Sequence, residues 1–199
     1  MNNAVDILEK LIDMTNGDRG SVLLVHGNLK PSALVIMQGE IFPLTQEPVH
    51  VAPQSVSDFK TVLSELGLNH VTTVEVMENA SGKSYEHGQE VMRIFVARDQ
   101  STAEQLKVLF DDIQSHHTEA GLLLGYPESS VRAFLTDEML DWDKLPASTA
   151  EVSETNMRLL GHRLSKHNWR DEVKYLEQSG NYIRSISPTI YDEITKAEA

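Results

Sequence analysis

Apolar positions recur at helical spacing from the start of the chain. Val5, Leu8, Leu11 and Ile12 fall on one face of a helix predicted over residues 3–15. Asn16-Gly17-Asp18 has turn chemistry and is expected to end it. Ser21–His26 (SVLLVH) is a short β-rich run, Gly27–Pro31 a turn, and Ala33–Met37 a second run, which together read as a hairpin. Residues 41–54 hold three prolines and no clear period, and read as mostly loop. Ser57 is placed to cap a helix over 58–66 that Gly67 closes. Strands are expected over His70–Glu78 and Gln89–Arg98, around the polar loop Asn79–Gly88. In the second of these Val91, Ile94 and Val96 do not alternate strictly, a pattern of a bulge or of burial on both faces. Ser101 then caps a helix through Ser115, with Ala103, Leu106, Leu109, Phe110 and Ile113 at helical spacing.

From Thr118 onward the pattern is helical: 118–124, 128–135, 137–141, 149–166, 169–178 and a last piece near 188–197. The fold class is α+β. Residues 1–115 are expected to form an antiparallel sheet of about four strands with two to three helices. Residues 116–199 form an all-helical half, joined to the first by connectors short enough for one packed unit.

Composition narrows the class of protein. The 199 residues are 40% hydrophobic and 24% charged, as in globular chains. Cysteine is absent, which excludes disulfides and thiolate chemistry and fits a reducing compartment. The N-terminus lacks the basic start of a signal peptide, and no apolar run reaches membrane-spanning length, so a cytoplasmic location without a membrane role is the expectation. A net charge of −13 disfavours nucleic acid and suits a protein partner or self-association. Arg158, Arg163, Lys166, Arg170 and Lys174 gather in one region with His162 and His167 between them, and read as a solvated helix face.

Several fragments look like chemistry. SVLLVHGN resembles the strand and His-Gly turn that precedes the oxyanion hole of α/β-hydrolases, but the G-x-S-x-G elbow that must carry the nucleophile is missing. Ser81-Gly82-Lys83-Ser84 holds the end of a phosphate-binding loop. Met77 stands where its first glycine should be, and a strand follows instead of a helix. No cofactor fingerprint is present, and none is expected to bind. His116, His117 and Glu119 cluster at a helix start. Adjacent histidines point apart on a helix, whereas His116 and Glu119 could share a face and a metal, with His87, His162 or His167 as a third ligand. With Tyr126, these are the candidates for catalysis. Paired carboxylates such as Asp111-Asp112 and Asp137-Glu138 follow from thirty acidic residues.

The densest signal is Gly121–Phe134. It reads as a helix, a stop at Gly125, and a second helix begun at Pro127, with Leu122, Leu123, Val131 and Phe134 in the angle. Gly121, Gly125 and Val131 have helix-turn-helix spacing, which would make Glu128–Leu135 the recognition helix. DNA contacts would then fall to Ser129, Ser130, Arg132, Arg158, Arg163, Lys166 and Arg170. Glu119, Glu128, Asp137 and Glu138 around Arg132 oppose that role. The string L-G-Y-P-x-x-x-V-x-x-F over Leu124–Phe134, preceded by His and Glu, also resembles a signature of small prokaryotic families of unknown function. Some of these carry paired cysteines at the positions of Ser129-Ser130. The resemblance covers residues 116–135 and implies a prokaryotic origin. It makes His116, His117, Glu119, Tyr126 and Pro127 the residues of interest. The leading expectation is a non-enzymatic binding or regulatory module working through protein–protein contacts. The alternatives are an enzyme or small-molecule or metal binder with a site near His116, His117, Glu119 and Tyr126, and a helix-turn-helix regulator.

Overall fold

A computed structural model of the chain describes residues 2–78, 87–140 and 164–196. The first helices are α1 (Asn2–Leu8) and α2 (Asn16–His26). Strand β1 (Ser32–Pro43), helix α3 (Pro53–Glu65) and strands β2 (Asn69–Glu78) and β3 (His87–Ala97) follow. Helices α4 (Gln100–Asp111), α5 (His117–Leu123) and α6 (Glu128–Leu135) come next. Helices α7 (Trp169–Ile186) and α8 (Pro188–Thr195) complete the order. The protein mixes helices with an antiparallel sheet, and among the described residues the sheet has three strands in the order β1-β3-β2.

The expected fourth strand, Ser21–His26, is the body of α2. Asn16-Gly17-Asp18 begins this helix instead of ending α1. Thr15 is its cap, with Oγ1 accepting a hydrogen bond from the Asp18 amide at 3.1 Å. Arg19, Gly20 and Val22 through Val25 are all buried, because β1, α7 and α8 pack around the helix. A helix buried on nearly every side has no polar face, so its apolar run has no visible period. Gly27 ends it where the Tyr182 ring leaves no space, since a Cβ there would lie 2.3 Å from the ring.

Other boundaries move for local reasons. Helix α1 stops at Leu8, and Ile12 is 87% exposed. Strand β1 runs into the proline-bearing stretch as far as Pro43, with its register to β3 shifting between Gln38 and Ile41. Helix α3 starts at Pro53, whose fixed φ suits a first turn, so Ser57 lies inside it. Asp99, not Ser101, caps α4 by accepting from the Thr102 amide at 2.8 Å, and α4 ends at Asp111. Asp137 takes φ 55° and Met139 bridges to Ser165, so 137–140 is not helical. Helix α7 continues past 178 to Ile186. Of the helix predicted over 149–166, residues 149–163 lie outside the described residues, as does the Ser81–Ser84 loop, and 164–166 are not helical, since Ser165 bridges to Met139.

The sheet is covered on both faces, which is why β3 does not alternate. Ala33, Val35 and Met37 of β1 and Ile94 and Val96 of β3 join a core with α1, α2 and α3. Phe95 turns the other way, against Phe110 of α4, at a ring separation of 5.8 Å. Ile183 of α7 and Ile190 of α8 lie in the same core as α1 and α2, so the last helices pack on the first. Arg19 reinforces this closure. Its buried guanidinium donates to the Glu9 carbonyl at 2.8 Å and pairs with Glu193 of α8 at 3.1 Å.

Candidate functional site

Strand β1 is an edge of the sheet, and a cleft of about 370 Å³ runs beside it. The first turns of α2 form one wall through Thr15, Asp18 and Ser21, and Tyr175, Ser179 and Ile183 of α7 form another. Leu34 and Ile36 of β1 and Phe110 of α4 supply apolar surface, and the Gly125-Tyr126 corner closes one end.

Lys30 is fixed in this cleft by the turn that carries it. Asn28 adopts φ 58°, and the Leu29 and Lys30 amides both bond back to the Leu24 carbonyl. Tyr175 of α7 donates its hydroxyl to the Leu29 carbonyl at 3.2 Å. Ser32 Oγ donates to the Leu123 carbonyl at the end of α5 at 2.6 Å. The turn is thus pinned from two sides. Gly125 follows α5 in the left-handed region at φ 76°, and the Tyr126 amide bonds to the Gly121 carbonyl at 3.0 Å, a Schellman closure. That closure brings the corner onto the Lys30 stem. A Cβ on Gly125 would lie 3.2 Å from Lys30 Cγ and 3.1 Å from Pro31 Cδ.

The two charged groups of the cleft differ in their partners, Asp18 being held by Thr15 and the Ile36 backbone. Lys30 Nζ makes one long hydrogen bond, 3.4 Å to Ser21 Oγ, and sits 5.8 Å from the Tyr126 ring centroid. Among the described residues no carboxylate is within ion-pair distance of it. Burial pushes the Lys30 amine down to about 8, against the opposing charge of Asp18. Burial also raises the Asp18 carboxyl, against the lowering effects of Thr15, the Ile36 backbone and Lys30. Tyr126 is raised by burial and by Tyr175, and Tyr175 by burial. The cleft therefore holds an amine and a carboxyl whose protonation is poised nearer neutrality than either would be in water.

The residues singled out from sequence divide among different places. Tyr126 lines the cleft and also a second, mainly apolar pocket of about 300 Å³ between α4, α5 and α6. His117 faces that second pocket, its ring edge-on to Phe134 at 6.0 Å. His116 stands at the N-cap of α5 without a side-chain capping bond, and Glu119 is exposed. Among the described residues no three His, Asp or Glu side chains are placed to hold a metal. Pro127 is the N-cap residue of α6, as the corner requires.

The helix-turn-helix spacing has a steric basis here. A Cβ on Gly121 would lie 2.9 Å from a Val131 methyl, so a larger residue in this angle would force Val131 to shift. The face of α6 is another matter. Ser130 is buried, and Ser129 donates to the buried carboxylate of Glu172 at 2.5 Å. Arg132 is paired with Glu128 at 2.6 Å, Lys166 reaches the Asp137 carbonyl at 3.4 Å, and Arg170 stacks on Trp169 at 4.3 Å. Arg158, Arg163 and His162 lie outside the described residues. Sequence reasoning missed Lys30, Asp18 and Ser21. Lys30 sits in a Gly-Asn-Leu-Lys-Pro turn that reads as solvent-exposed, and only the packing of α7 and the Gly125 corner over it creates the site. No protein-family model, curated protein or solved structure matches the chain.

Proposed function

We propose that this protein binds a small, mainly apolar molecule in the β1-edge cleft, with a carboxylate or carbonyl oxygen of the ligand meeting Lys30. The observation that carries the reading is the place of the Lys30 ammonium, which lines the cleft with a 3.4 Å bond to Ser21 and no carboxylate at ion-pair distance among the described residues. A ligand oxygen meeting this half-buried ammonium would make a charge-assisted hydrogen bond, stronger than one between neutral groups. The cleft volume of about 370 Å³ falls within the range of roughly 300–1,000 Å³ of small-molecule sites. Leu34, Ile36 and Phe110 offer an apolar wall for the rest of the molecule.

Thermal denaturation with hexanoate and phenylacetate tests the reading. A ligand at a hundred times its Kd stabilises by about 2.7 kcal/mol, a rise of several degrees in a chain this size. At least one of the two should raise the Tm of the unmodified protein and lose that effect in Lys30→Met. Equal shifts in both proteins, or none in either, would remove the proposal.

A second reading has its own observation: a module that works through protein contact, with a second copy as the partner. Phe134 and Leu135 of α6 are 58% and 53% exposed, and Leu122 of α5 lies on the same corner. Sedimentation equilibrium should then show self-association that weakens in Phe134→Ser; a monomer at all concentrations would dispose of it.

A further inference from the structure

We propose that Lys30 condenses reversibly with small aldehydes or ketones that enter the β1-edge cleft, holding them as an imine. The inference rests on the ligand-binding reading above and narrows its substrate class to carbonyl compounds. Three geometric facts support it. The amine projects into a cavity with space for a small molecule beside it. The base of its stem lies against the Gly125 corner, and its nitrogen is directed toward Ser21 by the 3.4 Å bond. It is free of any carboxylate partner at ion-pair distance among the described residues, so no salt bridge must break before it reacts.

The other titratable groups lining the cleft are Asp18 on α2, Tyr126 at the corner and Tyr175 on α7. Buried lysines become nucleophiles when desolvation favours the neutral amine. With the amine at about 8, about one molecule in four carries it uncharged at pH 7.5, against roughly one in a thousand for an ordinary lysine.

The step balances without an external oxidant or reductant. The Lys30 nitrogen adds to the carbonyl carbon, and the carbonyl π pair moves to oxygen, which takes a proton. The carbinolamine then expels that oxygen as water while the nitrogen lone pair forms the C=N bond. The two hydrogens of the neutral amine leave with the water. Asp18 lines the same cleft, and its charge and that of Lys30 act on one another. Asp18 is thus the acidic side chain of the cleft that can exchange protons, directly or through solvent, as the oxygen departs.

The test uses the full chain with hexanal and sodium cyanoborohydride, which delivers hydride to the imine and fixes it as a secondary amine. Peptide mass spectrometry then locates the adduct. At pH 7.5 the adduct on Lys30 should accumulate at least tenfold faster than that on Lys174, whose side chain is 74% exposed. Its rate should rise with pH through a midpoint near 8. Excess hexanoate should slow labelling at Lys30 and leave Lys174 unchanged. In Lys30→Arg the adduct at this position should vanish while the others persist. Labelling of Lys30 no faster than Lys174 would overturn the proposal. If hexanoate still raised the Tm in that case, the ligand-binding reading would stand and only the condensation would fall. Selective labelling that hexanoate does not slow would also overturn it, because the reaction would then not occur in the ligand cleft.

Discussion

Two ionisable side chains stand where α7 meets the rest of the protein, one buried and one half-buried, and they are treated in opposite ways. Glu172 is 2% exposed, and its carboxylate accepts from Ser129 Oγ at 2.5 Å, from the Ser165 amide at 2.7 Å and from Ser165 Oγ at 2.6 Å. Three donors from two other segments close around it, joining α6, the strand-like segment at Ser165 and α7. Lys30 keeps one long bond and faces an open cleft. A buried charge whose partners all come from the protein fixes a fold; a half-buried one that faces a cleft keeps donors for a ligand. The largest effect expected from breaking this comparison is at Glu172. Glu172→Ala takes the acceptor from the Ser165 amide and from both hydroxyls and should cost about 3 kcal/mol in urea unfolding, with Glu172→Gln recovering part of it. A loss below about 1 kcal/mol would mean that the carboxylate is not the fastener its bonds imply.

The next effect falls at the corner beside Lys30. Gly125 is left-handed, and a Cβ there would press on Pro31 and Lys30. Gly125→Ala should cost about 1–2 kcal/mol from backbone strain alone. It should also weaken hexanoate binding, because the corner against the lysine stem must shift. Loss of stability with binding intact would separate the corner from the site.

Replacing Lys30 itself should have a smaller effect, of the opposite sign. Lys30→Met exchanges a half-buried ammonium for an apolar chain of similar length. It should change stability at pH 7 by less than about 1 kcal/mol, in the stabilising direction. The pH dependence is the sharper test. The native amine gives up its proton near 8, and the unfolded chain keeps it to about 10.4. Between these values the unfolded state binds more protons, so stability rises with pH. Raised tyrosines, among them Tyr126, Tyr175 and Tyr182, act the other way above pH 10. Unfolding measured from pH 8 to 10 should show the protein gaining on Lys30→Met; parallel curves would show that Lys30 titrates as an ordinary surface lysine.

Legibility in the sequence followed how local each feature is. Gly67 and Gly125 stop helices through bonds within their own turns: Leu68 to the Leu63 carbonyl, and Tyr126 to that of Gly121. Such stops were readable, as were the β2–β3 pair and the crowded Gly121–Val131 angle. Helix α2 was misread because a run buried on nearly all sides by distant elements carries no period to count. With it went the meaning of Thr15 and Asp18, which look like the end of one helix and serve as the beginning of another. The cleft was unreadable for the same reason at larger scale. Lys30 is brought beside Asp18 and Tyr126 by contacts with α5 and α7, about ninety and 146 residues away. Of the residues the sequence put forward, Tyr126 alone lines this cleft.

The smallest effect concerns a third kind of charge. Arg132 and Glu128 lie one turn apart on α6, bonded at 2.6 Å, with side chains 75% and 71% exposed. Water already satisfies both groups, and holding two long side chains together offsets most of the attraction. Arg132→Ala should therefore change stability by less than about 0.5 kcal/mol, and any loss should shrink further in added salt. The same variant bears on the DNA reading, since Arg132 is the only basic side chain on α6. If α6 met a phosphate backbone, duplex binding at low salt would fall in Arg132→Ala while stability held. No gel shift with either protein is the expected result, given Glu128 at the same face and a net charge of −13. A shift that the variant abolishes would move the functional surface from the Lys30 cleft to α6.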